Sequence, residues 1–117
     1  MMVTATRSGR TPSQVVSHMQ DGALATGDGV EVDVSGMQKG VIEVNIGTSG
    51  TVVFEGTVGG SLWTAVRGLD LSDATETWVT SVTADKAIQF DVSGLVAIRA
   101  RITAVSGALE VWGHFWG

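Results

Sequence analysis

The chain writes one short pattern twice. Residues 30–37 read VEVDVSGM and residues 88–95 read IQFDVSGL, 58 positions further along a chain of 117 residues. Each copy alternates apolar and polar residues, passes through Asp-Val-Ser-Gly and closes on a large apolar residue. Side chains along a strand point to opposite faces in turn. Val30, Val32 and Val34 therefore share one side with Glu31 and Asp33 on the other, and Ile88, Phe90 and Val92 oppose Gln89 and Asp91 in the same way. One apolar face and one wet face is the pattern of an antiparallel sheet packed on a single core. Behind each copy come a strand, a Ser-Gly turn (Ser49-Gly50 and Ser106-Gly107) and a further strand, TVVFEG against ALEVWG, with a one-residue gap in the match. Two related halves closing on one core is what the two Greek keys of a jelly roll would produce. The Asp-Val-Ser-Gly element needs no chemistry: Asp33 and Asp91 can accept turn amides, and Gly36 and Gly94 free the backbone where each strand ends.

Strand signals recur every eight to twelve residues, at 30–34, 41–46, 51–58, 61–66, 76–83, 87–92, 96–105 and 108–116, with glycine-bearing turns between most of them. Sixteen glycines and one proline suit that reading. The one helical candidate, 13–19, lacks an apolar stripe. The expected fold is all-β: an eight-strand antiparallel jelly-roll sandwich over residues 26–117, preceded by an extended N-terminal arm at residues 1–25.

Several function classes are disfavoured. Without cysteine there is no thiol catalysis, thiolate metal site or disulfide framework. No apolar run reaches the 18 residues of a membrane-crossing helix, and MMVTATRSGR lacks the apolar centre of a secretory signal, so neither a membrane nor export by that route is expected. From Asp21 onward five basic residues face twelve acidic ones, a poor surface for nucleic-acid phosphates. His18 and His114 stand in no motif that joins a nucleophile to a base, and no glycine-rich phosphate loop opens a helix. The chain is expected to be no enzyme and to carry no cofactor. Asp70, Asp73 and Glu76 are the best metal candidate, a calcium loop, but they fall short of EF-hand spacing and read as solvated charge, so no metal is expected.

Interaction is the remaining theme. Trp112, His114 and Trp116 lie on one face of the last strand, while Val111 and Phe115 lie on the other. A strand apolar on both faces should be covered on both. The three residues are candidates for a protein interface, with intrachain cover by the N-terminal segment or a sugar-stacking platform as alternatives. Residues 1–25 carry Arg7 and Arg10 and cannot by themselves bury enough surface to offset ordering. Such an arm would lie on a neighbouring subunit, Arg7 and Arg10 meeting acidic surface and Val15, Val16 and Met19 filling apolar grooves.

Residues 51–66, TVVFEGTVGGSLWTAV, resemble the hairpin of small β-sandwich domains of tailed-phage virion proteins, in which a strand ending Phe-Glu-Gly leads through a glycine turn to Ser-x-Trp. GLVAIRARITAVSGALEVWG resembles the strand pair that closes those domains, and the likeness spans residues 22–117. Gly59-Gly60 stands where those relatives commonly carry Asp-Gly. The resemblance implies a capsid decoration or cement protein on the virion surface, bound across subunits of the major capsid protein and to copies of itself as a trimer, with the host cytoplasm as the place of assembly. It implies as alternatives a head–tail, tail or head-fibre part. The same hairpin occurs in galactose-binding-like sandwiches, which imply carbohydrate as a ligand.

Overall fold

The computed structural model describes residues 14–117. These form eleven strands and no helix: β1 (Gln14–Ala23), β2 (Val32–Asp33), β3 (Lys39–Asn45), β4 (Ser49–Thr57), β5 (Thr64–Ala65), β6 (Gly68–Asp70), β7 (Trp78–Val79), β8 (Ser81–Val82), β9 (Lys86–Asp91), β10 (Ala97–Ser106) and β11 (Leu109–Trp116). Two antiparallel sheets result. The larger runs β1-β11-β3-β9-β6-β7, and the smaller runs β2-β10-β4-β5 with β8 also on β4.

Eight of these strands nest in pairs, β2 with β10, β3 with β9, β4 with β8 and β6 with β7. That is one long hairpin wrapped over two sheets, the path of a jelly roll. The eight are not all those expected. The strand expected at 61–66 is reduced to β5, and the one at 76–83 splits into β7 and β8 on different sheets. The short β6 takes a place in the roll, and β11 lies outside it as an extension of the larger sheet.

The repeat is structural. The order β2-β10-β4 in one sheet matches β9-β3-β11 in the other, so equivalent segments of the two halves lie in opposite sheets. Hydrogen bonds obey the same exchange. The Val34 amide donates to the Val96 carbonyl and the Val92 amide to the Gln38 carbonyl, each at 2.9 Å. Met37 donates back to Val34 and Leu95 to Val92. Those turns place glycine at the third position with φ of 77° at Gly36 and 86° at Gly94, which a side chain resists. Asp33 accepts the Ser35 amide at 2.9 Å and Asp91 the Ser93 amide at 3.0 Å. Those bonds hold both carboxyls below the ordinary carboxylate range.

Both halves supply the core. Val32 and Val34 share one buried cluster with Ile88, Phe90 and Val92, and Phe54 meets Phe90 edge to face at 4.9 Å between centroids. Phe115 lies so close over Gly40 that a Cβ there would be 2.1 Å from its ring.

The outward side of the smaller sheet covers itself with charge. Glu55 receives Arg99 Nε at 2.9 Å and Arg101 Nη2 at 3.0 Å, Arg99 also pairs with Asp28, and the Arg99 guanidinium lies 4.1 Å from the centre of the Trp63 ring. The paired guanidinium of Arg101, then that of Arg99, keeps the Glu55 carboxyl below its ordinary range.

Candidate functional site

The outward side of the larger sheet is built differently, and β1 is the reason. β1 runs antiparallel to β11, with Gln14 opposite Trp116, Val16 opposite His114 and His18 opposite Trp112. Its inward residues include Val15, packed against the core, and Met19, 1% exposed. The Met19 sulfur occupies the space over Gly113, where a Cβ would come within 2.7 Å of it. The boundary expected at residue 26 is therefore displaced: residues 14–23 are a strand of the sandwich. Pairing with β11 satisfies one side of the β1 backbone and gives Met19 a pocket in its own chain, which the weakly apolar sequence could not supply alone. Among the arm residues expected to grip a neighbour, Met19 is core, Val15 is partly buried, and Val16 is 62% exposed on the outward side. Arg7 and Arg10 lie outside the described residues.

Trp112, His114 and Trp116 do share the outward face of β11, with Leu109, Val111, Gly113 and Phe115 buried beneath. His18 stacks on Trp112 with ring centroids 3.9 Å apart and planes within 6°. His114 Nε2 lies 3.0 Å from Gln14 Oε1, and its ring is tilted against Trp116 at 5.3 Å. Intrachain cover is thus partial: Trp112 remains 42% exposed.

Register extends this patch over the whole sheet. Val16, His114, Val41, Gln89, Leu69 and Trp78 are successive cross-strand partners and form one row from edge to edge. At its far end Trp78 is 46% exposed, with the Arg67 guanidinium 4.8 Å from its ring centre. Trp78 borders an open cleft of about 550 Å³ lined also by Lys39, Arg67, Leu69, Gln89 and Asp91. The sequence does not single out Trp78 as an interface residue. The alternation Trp78, Val79 would have placed one of the two outside, but a two-residue strand is too short to say which.

The Asp70 loop is closed on itself. Asp70 Oδ1 accepts the Ser72 amide at 2.9 Å and the Ser72 hydroxyl at 2.6 Å, and Oδ2 pairs with Lys86 at 3.2 Å. Asp73 accepts the Thr75 amide and the hydroxyls of Thr75 and Thr77. These bonds hold both carboxyls below their ordinary range, the Ser72 hydroxyl foremost at Asp70 and the Thr77 hydroxyl at Asp73. The Asp70 and Asp73 oxygens that a calcium ion would take already have donors.

A family model described as XepA matches residues 13–115. The crystal structure of SPBc2 prophage-derived protein YomS superposes with a TM-score of 0.84 at 18% identity, covering 96% of this chain and 100% of that one. The crystal structure of PBSX exported protein XepA superposes with a TM-score of 0.85 at 24% identity, covering 96% of this chain and 42% of that one. This chain therefore spans less than half of that second protein's length. At these identities the superpositions speak for the fold alone. Comparison with curated proteins finds no match.

Proposed function

The chain belongs to the XepA family, and from that premise we propose that it is a non-enzymatic structural protein of a phage particle, docked through the outward face of its larger sheet. The observation that carries this is the contrast between the two outer faces. The smaller sheet neutralises its own surface through Glu55, Arg99 and Arg101, whereas the larger presents Val16, Trp112 and Trp78, each more than 40% exposed. Six strands at about 4.8 Å spacing make that face roughly 24 Å wide. That is the scale of a standard interface, about 800 Å² per partner. Aromatic residues are the usual anchors of such contacts, and here Trp112 and Trp78 stand toward the two edges of the sheet.

In its finer form the proposal is a decoration or cement protein on the capsid surface, bridging major capsid subunits and neighbouring copies of itself in a closed trimer. Support comes from the virion-domain resemblance of residues 51–66 and from the fold shared with a prophage-derived protein. His18 is engaged by Trp112 and Glu110, and His114 by Gln14, which favours a structural over a catalytic use of both. Val16→Glu places charge on the docking row without touching the core. The variant should stay folded and lose co-sedimentation with phage particles; undiminished binding would refute the docking face.

A second reading is carbohydrate binding, favoured by the cleft in which exposed Trp78 stands beside Arg67, Gln89 and Asp91. An aromatic platform ringed by polar groups suits a sugar. Glycan binding lost on Trp78→Ala, with particle binding intact, would select it.

A further inference from the structure

At one end of the β1–β11 pair, His18, Asp21 and Glu110 come together, with one ligand atom from each lying within 4.8 Å of the others. We propose that these three residues bind a divalent transition cation of the zinc class, which staples β1 to β11.

A strand irregularity makes the cluster possible. In a regular strand, residues three apart face opposite sides. Here the pairing of β1 with β11 slips between His18 and Gln20 and again between Gln20 and Ala23. Met19 and Gln20 both turn inward, and the buried Gln20 amide donates to the Ala100 carbonyl at 2.8 Å and the Gly27 carbonyl at 3.2 Å. The bulge so pinned returns Asp21 to the side of His18, a usual task of bulges.

The imidazole is then placed between two carboxylates. His18 Nε2 is 2.9 Å from Glu110 Oε1, and Nδ1 is 3.7 Å from Asp21 Oδ1. A neutral imidazole has one N–H and one lone pair. The lone-pair nitrogen can ligate a cation, and one oxygen of each carboxylate, all three ligand atoms lying within 4.8 Å of one another, can turn to the same ion. Stacking on Trp112 holds the ring plane. One imidazole and two carboxylates suit zinc, nickel or copper, whereas calcium takes oxygen alone. Ligand atoms about 2.1 Å from a tetrahedral ion stand roughly 3.4 Å apart. Closing on the ion thus asks only small movements of the Asp21 and Glu110 side chains, 84% and 48% exposed.

The test is calorimetric titration of the full, tag-free chain with zinc chloride, alongside quenching of tryptophan fluorescence by nickel, since Trp112 lies against the ligand ring. One site is expected. His18→Ala should abolish it, and Asp21→Asn and Glu110→Gln should each weaken it by about tenfold or more. His114→Ala should leave it unchanged. Asp21 is exposed enough that its variant keeps the fold. Zinc binding equal in wild type and Asp21→Asn, or retained in His18→Ala, overturns the proposal. So does a fluorescence response to pH with none to metal, which would make the cation a proton.

Discussion

Met19→Ala tests whether β1 belongs to the folded body. The side chain is 1% exposed and fills the space over Gly113 beside the Phe115 ring. Truncation removes three buried heavy atoms, about 2 kcal/mol of transfer free energy at roughly 0.8 kcal/mol per methylene-sized group. The pocket is floored by backbone at Gly113 and by Phe115, itself wedged against Gly40, so it cannot collapse freely, and a cavity term of about 1 kcal/mol adds to the loss. The expected destabilisation is about 3 kcal/mol, a large share of the ~6–12 kcal/mol typical of a domain this size. Urea unfolding followed by tryptophan fluorescence should show a lower midpoint at unchanged slope, because the same surface is exposed on unfolding. Val16→Ala, on the outward face of the same strand, is the control and should change stability by under about 0.5 kcal/mol. A Met19→Ala loss no greater than the control's would mean that β1 is a detachable arm after all.

Two further outcomes follow from the fold. Gly36→Ala and Gly94→Ala force a side chain into a left-handed turn position at pseudo-equivalent sites, and each should cost about 1 kcal/mol in the same assay; a large effect at one and none at the other would break the equivalence of the halves. Glu55→Gln should cost about 2 kcal/mol at neutral pH by removing charge-assisted bonds from Arg101 and Arg99. Because the folded Glu55 carboxyl is depressed, its contribution is present above the ordinary value of 4.5 and fades as pH falls through the folded value. The gap between wild type and variant should therefore close in acid, and a gap that stays constant from pH 7 to the acid limb would refute the ion-pair account.

Much of this architecture is written as alternation. Val32 and Val34, Ile88 to Val92 and Leu109 to Phe115 keep a strict period of two, and their faces are legible without coordinates. The same period places Trp112, His114 and Trp116 outward together. The doubled Asp-Val-Ser-Gly announces the pseudo-symmetry because each copy builds the same turn with the same bond to a Ser amide. β1 is obscured by its bulge: Met19 and Gln20 are buried consecutively, so the period that would have declared a strand is broken in its middle. β6, β7 and β8 have two or three residues each, too few for any period; β6 pairs with β9, β8 with β4, and β7 with β6. The grouping of His18 with Glu110 spans 92 positions and depends on strand order, which local pattern does not carry. The same holds for the edge-to-edge row from Val16 to Trp78, which is visible only once register is known.

The most direct test of the docking claim is an electron cryomicroscopy map of a phage particle on which this protein is proposed to sit. The account expects Val16, Trp112 and Trp78 at a boundary with a neighbouring subunit, and the Glu55–Arg99–Arg101 face open to solvent. A map in which the larger sheet's outward face is bare in every copy, or in which the charged face makes the contact, would contradict it.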